Sequence, residues 1–279
     1  CFAGAGWRMK RFPVFLLGFL LMAGSARTAD QWVYFGTYTK GDSKGIYAAS
    51  FDSESGSVGE PRLVAELENP SFLAIHPDGD KIYAASEVAN FEGGGSVNAY
   101  SISRDTGDLT FLNRQPTGGG APCHLSLDSK GKCLLVANYS GGNVASYQIG
   151  KDGKISPPVS VVQHEGSSVN EKRQKEPHAH SINPRGDDRF AYAADLGADR
   201  IFVYELNPDK GSIQSVSSAA ATPGSGPRHT AIDEKGRYLY AVNELDLTVS
   251  RYEIDGASGA LNLLDSISTF PEGVEPMGS

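Results

Sequence analysis

From residue 31 onward the chain alternates apolar and polar positions in short runs of about four to eight residues, each closed by a turn signal. Runs such as Ile82-Tyr83-Ala84-Ala85-Ser86 and Leu134-Leu135-Val136-Ala137-Asn138 have the period and composition of half-buried or buried strands. The turns are rich in Asp, Asn, Pro and Gly, as in Pro77-Asp78-Gly79 and Asn183-Pro184-Arg185-Gly186. No stretch after residue 30 carries a helical period of useful length.

These runs recur as units. Four openings align at their prolines: Asn69-Pro70-Ser71-Phe72, Ala121-Pro122-Cys123-His124, Glu176-Pro177-His178-Ala179 and Gly226-Pro227-Arg228-His229. Each leads through a turn to a second strand, then to a short third strand such as Arg200-Ile201-Phe202-Val203-Tyr204, then to an outer one such as Leu109-Thr110-Phe111-Leu112. An earlier half-copy, Val33-Tyr34-Phe35-Gly36-Thr37, matches the second strand. Four short strands repeating every 50 residues or so are the blades of a β-propeller, and residues 30–279 hold about five such units. The expected fold is therefore all-β, built of four-stranded antiparallel blades in one domain spanning residues 30–279, and a Greek-key sandwich is excluded by the repetition. The chain stops where a sixth opening is due, so the reading is a larger propeller cut at its C-terminus, with a closed five-bladed ring as the alternative.

The beginning of the chain has a different pattern. Met9-Lys10-Arg11, an apolar run from Phe12 to Met22 and the small residues Ala23-Gly24-Ser25-Ala26 match an export signal, assigned to residues 9–29. Cleavage is expected after Ala26, with Ala29 as the alternative, and an uncleaved anchor is disfavoured because the apolar run falls short of the ~20 residues that span a bilayer. Residues 1–8 precede the start methionine and read as translated upstream sequence. The protein is expected to be exported, periplasmic or extracellular, a monomer, and free of membrane association after cleavage. Without use of the signal it would be cytoplasmic.

Composition narrows the partners. The 279 residues carry a formal net charge of −8, with no basic block, so nucleic acid is excluded as a ligand. Of the three cysteines, Cys1 precedes Met9, while Cys123 and Cys133 have no metal-binding spacing and read as buried free thiols, a single bridge between them being the alternative. The glycine clusters Gly93-Gly94-Gly95 and Gly118-Gly119-Gly120 precede no helix and so are not phosphate loops. With neither a paired-histidine helix motif nor a cysteine set, no metal and no cofactor are expected. His76 and His164 read as exposed turn and loop residues.

Several strings occur together and in order: Phe35-Gly36-Thr37-Tyr38-Thr39, Val136-Ala137-Asn138-Tyr139-Ser140-Gly141-Gly142, Arg173-Gln174 followed by Pro177-His178-Ala179-His180-Ser181, Asp195-Leu196-Gly197-Ala198-Asp199-Arg200, Gly226-Pro227-Arg228-His229 and Asn243-Glu244-Leu245. With them the chain resembles the propeller-type lactonase family, which includes bacterial 6-phosphogluconolactonase and fungal 3-carboxy-cis,cis-muconate cyclase. The resemblance covers nearly everything after the signal. It implies a seven-bladed propeller, of which about two blades are absent here, and a site at the mouth of the central channel.

Opening a lactone requires an activated water and a donor for the developing oxyanion, and an anionic substrate requires a guanidinium. The residues that stand out among the repeats supply those types. Glu244 or His180 is expected to activate water and Arg228 to hold the oxyanionic or anionic end. His124, Asn138, Arg173, His178, Asp195, His229 and Asn243 are the expected substrate contacts. His178 and His180, two apart in a strand, are expected to project side by side. The expected partner is a small-molecule sugar lactone. The reverse-sense muconate cyclase and a non-catalytic binding propeller stand as alternatives.

Overall fold

The computed structural model describes residues 31–271 and 274. The expected signal segment, its cleavage sites and Cys1 lie outside the described residues. Nineteen strands form five antiparallel sheets. The first has three strands, β1 (Gln31–Phe35), β2 (Gly45–Phe51) and β3 (Arg62–Glu66). The second comprises β4 (Pro70–Ile75), β5 (Lys81–Phe91), β6 (Gly94–Ile102) and β7 (Leu109–Pro116). The third comprises β8 (Pro122–Leu127), β9 (Cys133–Asn138), β10 (Asn143–Gln148) and β11 (Ser160–Gln163). The fourth comprises β12 (Ala179–Pro184), β13 (Phe190–Asp195), β14 (Arg200–Asn207) and β15 (Ser212–Ala220). The fifth comprises β16 (Pro227–Ile232), β17 (Tyr238–Asn243), β18 (Thr248–Ile254) and β19 (Leu261–Ser268).

Within each four-stranded sheet the strands lie in chain order, and the first strand of each packs against the first strand of the next. These innermost strands line the channel. The cores lie between the sheets, one per junction. Tyr83, Val97, Leu134 and Val136 fill the second junction, and Leu135, Val144, Ile182 and Tyr204 the third. Alanines at Ala84, Ala85, Ala137, Ala193 and Ala194 are fully buried, which lets the second strands approach closely near the axis.

Each innermost strand enters through the same irregularity. The ladder skips one residue after Pro70, Pro122, Ala179 and Pro227, so that Ser71, Cys123, His180 and Arg228 bulge from the pairing. A second tie recurs beside it. The backbone N–H of Glu87, Tyr139, Leu196 and Glu244 donates to the carbonyl of Asn69, Ala121, His178 and Gly226, at 2.8–3.0 Å. Three of those acceptor residues, Asn69, Ala121 and Gly226, are left-handed, with φ of 44°, 51° and 65°. Only the glycine takes that conformation without strain.

The equivalences correct the sequence alignment of the third repeat. Ala179, not Pro177, stands where Pro70, Pro122 and Pro227 stand. His180 therefore occupies the bulge, and His178 precedes the strand. Two further expectations are corrected. His76 is buried, its Nε2 within 3.1 Å of the Gly131 carbonyl. His164 is also buried, stacked on Phe202 and bonded at both ring nitrogens. Cys123 and Cys133 are both free thiols.

On the fifth sheet, Tyr240 stands at the same register position as Tyr83 and Tyr192. Those two are fully buried between sheets, whereas Tyr240 is 39% exposed, beside exposed Val242. The apolar pattern of an inter-sheet face thus continues past the last sheet of the described residues.

Candidate active site

At the channel end where the innermost strands begin, a cavity of about 450 Å³ is lined by Tyr38, Ser71, Phe72, Glu87, Cys123, Tyr139, Arg173, His180, Arg228, His229 and Glu244. Its construction follows from the repeat. All four bulge residues, Ser71, Cys123, His180 and Arg228, reach it, as do three of the four residues that make the recurring backbone tie, Glu87, Tyr139 and Glu244. A bulge re-aims its side chain out of the ladder, and the same device repeated around the axis converges side chains from separate sheets on one volume. Tyr38 and Arg173 are added from loops.

The Glu244 carboxylate is the centre of the charged half. Its Oε1 accepts from the Arg173 guanidinium at 2.7 Å and its Oε2 from Arg228 Nε at 2.9 Å, with His180 Nε2 at 3.8 Å. Arg173 also donates to the Tyr139 hydroxyl at 3.1 Å. Partial burial would raise the Glu244 pKa, but the Arg173 hydrogen bond and the charges of Arg173 and Arg228 outweigh it and hold the carboxyl below its usual range. Burial, reinforced by the Arg228 charge, pushes the His180 imidazole down to about 4, so the ring is neutral near pH 7. His229 is lowered for the same two reasons. Cys123 Sγ lies 3.7 Å from His180 Nδ1, and burial pushes its thiol up to about 12.

The other half is built on Tyr38 and Glu87, whose hydroxyl and Oε2 are 2.8 Å apart. Burial and this hydrogen bond push the Tyr38 phenol up to about 12.

The remaining sequence candidates lie around the cavity rather than in its lining. His124 is buried behind the lining, 4.4 Å from the Phe72 ring and 5.3 Å from the His229 ring, and burial pushes it down to about 3. His178 does not project beside His180. It stacks on one face of Tyr139 at 4.5 Å while His180 meets the same ring edge-on at 5.2 Å, because the bulge separates the two histidines. Asn138 and Asn243 close the ends of β9 and β17 from within. Asn138 Nδ2 donates to the Thr117 carbonyl and Asn143 Oδ1, while Asn243 Nδ2 donates to the hydroxyls of Thr248 and Ser250. Asn138-Tyr139-Ser140 matches a glycosylation sequon, but the Asn138 side chain is buried in the folded protein. Asp195 is fully buried. One of its oxygens lies 2.6 Å from His164 Nδ1, and the other accepts the backbone N–H of His178 and of Ala198 at 2.8 Å.

Tyr38, Glu87 and Tyr139 were not among the expected site residues. The signal for two of them was present, since Glu87 and Tyr139 stand one residue past the strands at residues 82–86 and 134–138 read from the sequence, as Glu244 stands past Asn243. Tyr38 had no such signal, because its loop belongs to the incomplete first repeat. Among the described residues, the one cluster of three groups within metal-ligand distance is His76, Asp78 and Asp80, at the opposite end of β4 from the cavity.

A family model described as a seven-bladed β-propeller lactonase matches residues 32–278. The 6-phosphogluconolactonase of Bacillus subtilis is 36% identical over 239 residues, which cover 86% of this chain and 67% of that protein. That of Formosa agariphila is 32% identical over 245 residues, covering 85% and 68%. The solved structure of the periplasmic gluconolactonase of Pseudomonas aeruginosa superposes with a TM-score of 0.80 at 33% identity, covering 87% of this chain and 69% of that one.

Proposed function

Because the chain belongs to the seven-bladed β-propeller lactonase family, we propose that its channel-mouth cavity hydrolyses a sugar-acid lactone by direct attack of water on the ring carbonyl. The observation that carries the site assignment is the Glu244 carboxylate bridging Arg173 and Arg228 beside neutral His180. The carboxylate fixes both guanidiniums in place, so their remaining N–H groups are preorganised donors for an oxygen that gains negative charge. His180 and Glu244, both unprotonated near neutrality, are the proton acceptors of the expected set. Tyr139 and His229 offer ring faces and polar edges to the sugar.

The charge of the cavity favours an unphosphorylated lactone. Among its lining residues two arginines face two glutamates, and His180 is neutral, which leaves no excess of positive charge for a phosphate dianion. Export, as read from the segment 9–29, fits the same substrate class, and fractionation of cells producing the protein tests it by asking whether the mature chain begins after Ala26.

The test of the reading follows proton release on adding glucono-δ-lactone or 6-phosphogluconolactone to the purified protein. Turnover should exceed the spontaneous rate, favour the unphosphorylated lactone and fall by about 100-fold or more in Arg228→Ala, as loss of an oxyanion donor does. A well-folded protein that accelerates neither reaction would remove the reading.

A further inference from the structure

Two glutamates occupy the same place in different repeats and reach the same cavity, but their surroundings are opposite. Glu87 and Glu244 each come one residue after the partner of the bulge-entry proline, Ser86 and Asn243, and are tied by the same backbone hydrogen bond, to Asn69 and Gly226. Glu244 gives its oxygens to two guanidiniums. Glu87 accepts a hydrogen bond from the neutral Tyr38 hydroxyl, and among the described residues no cation pairs with it. A carboxylate whose lone pairs are committed to arginines is a weakened base, and an imidazole pushed down to about 4 is also a weak one.

Cys123 lines the same cavity as both glutamates and Arg228. The Glu87 charge raises the Cys123 thiol while the Arg228 charge lowers it, so both groups act on the same sulfur, and Arg228 is also felt by Tyr38. A lactone held in this cavity therefore meets both guanidinium donors for its carbonyl oxygen and a carboxylate that no guanidinium engages.

We propose that Glu87 is the general base that activates the attacking water, with Tyr38 as its positioning residue and Glu244 as the anchor of the arginine pair. This assignment rests on the lactonase reading. Water transfers one proton to Glu87 as its oxygen bonds to the carbonyl carbon, and the carbonyl electron pair moves onto the oxygen facing Arg228. On collapse, the bond from the carbonyl carbon to the ring oxygen breaks, and the ring oxygen takes its electron pair and the proton from Glu87. The new carboxylic acid then ionises, which is the proton that the assay detects, and Glu87 is again a carboxylate.

The experiment compares wild type, Glu87→Gln, Glu87→Ala, Tyr38→Phe and Arg228→Ala on glucono-δ-lactone, with circular dichroism to check folding. Glu87→Gln should lower kcat by about 100-fold or more with KM changed by no more than about threefold. Glu87→Ala should recover part of its kcat on adding sodium formate, a signature that a structural role does not produce. Tyr38→Phe should lower kcat by less than Glu87→Gln does. Wild-type kcat in Glu87→Gln, with Arg228→Ala inactive, would overturn the assignment and leave the lactonase reading standing. Should Glu87→Gln fail to fold, the formate response of Glu87→Ala decides, and no response overturns the proposal. Absence of turnover in wild type would remove both.

Discussion

His124 and His180 are held neutral by burial, at about 3 and about 4, against 6.5 for a free imidazole. The unfolded chain binds protons at these residues as pH falls through 6.5, whereas the folded one does not until much lower pH. The stability they contribute is complete above pH 6.5 and is lost as pH falls toward 4, by about 1.4 kcal/mol per pH unit for each ring. Urea midpoints should therefore drop between pH 7 and 4.5, and His124→Gln should flatten that dependence. The Arg228 charge adds to the effect of burial on His180, so Arg228→Ala should move the His180 titration upward from about 4, although burial keeps it below 6.5. An NMR titration of the His180 ring would show this, and an unchanged midpoint would mean that the guanidinium is not held against it. Cys123 is a third case. With its thiol pushed up to about 12, it should react with iodoacetamide at pH 8 far more slowly than free cysteine does.

At the level of the element, the site is a consequence of one bulge used four times. A bulge survives only if the residues around it are tied down, and each of the four sheets does so with the same backbone bond beside the bulge. The fourth sheet lacks the proline and the left-handed residue that the others have. It has Asp195 instead, whose buried carboxylate holds the His178 and Ala198 N–H groups and meets His164, itself bonded to the Tyr204 hydroxyl at 2.7 Å. Asp195 is thus a structural clamp at the entry to β12. Asp195→Ala would strand the buried Ala198 N–H, the half-buried His178 N–H and the buried His164 ring, at a cost of about 3–5 kcal/mol. Chemical denaturation should register that loss, whereas an exposed aspartate such as Asp52 should change stability by less than about 1 kcal/mol when replaced.

For the molecule as a whole, the five sheets stand against the seven blades of the family, and the fifth sheet turns an inter-sheet face to solvent. Tyr192→Ala should empty a packed junction and cost about 3–5 kcal/mol. Tyr240→Ala, at the same register position on the open face, should cost about 1 kcal/mol or less in this chain. Equal costs would show that Tyr240 is covered in solution. The exposed apolar residues Val242, Leu264 and Ile267 on the same sheet should also bind a hydrophobic dye such as ANS.

Much of this protein was already determined by its sequence. The alternation of apolar and polar residues, the turn chemistry and the period of the repeat are local properties, and they are sufficient to specify four-stranded units and the strand ends from which site residues emerge. Arg228 was legible because it is charged where other repeats carry Ser71 and Cys123, and Arg173, His180, His229 and Glu244 because they fall on the strings that carry the family resemblance. Tertiary structure decided the rest. A bulge changes the side-chain phase by one residue without leaving a sequence mark, so the two-residue spacing of His178 and His180 reads as one face of a strand when the ladder separates them. Burial of His76, His164, Asn138 and Asn243 depends on what the neighbouring sheet or loop brings against them. The pairing of Tyr38 with Glu87, and of Glu244 with Arg173, joins residues from different repeats around a common axis, and proximity across an axis cannot be read along a chain.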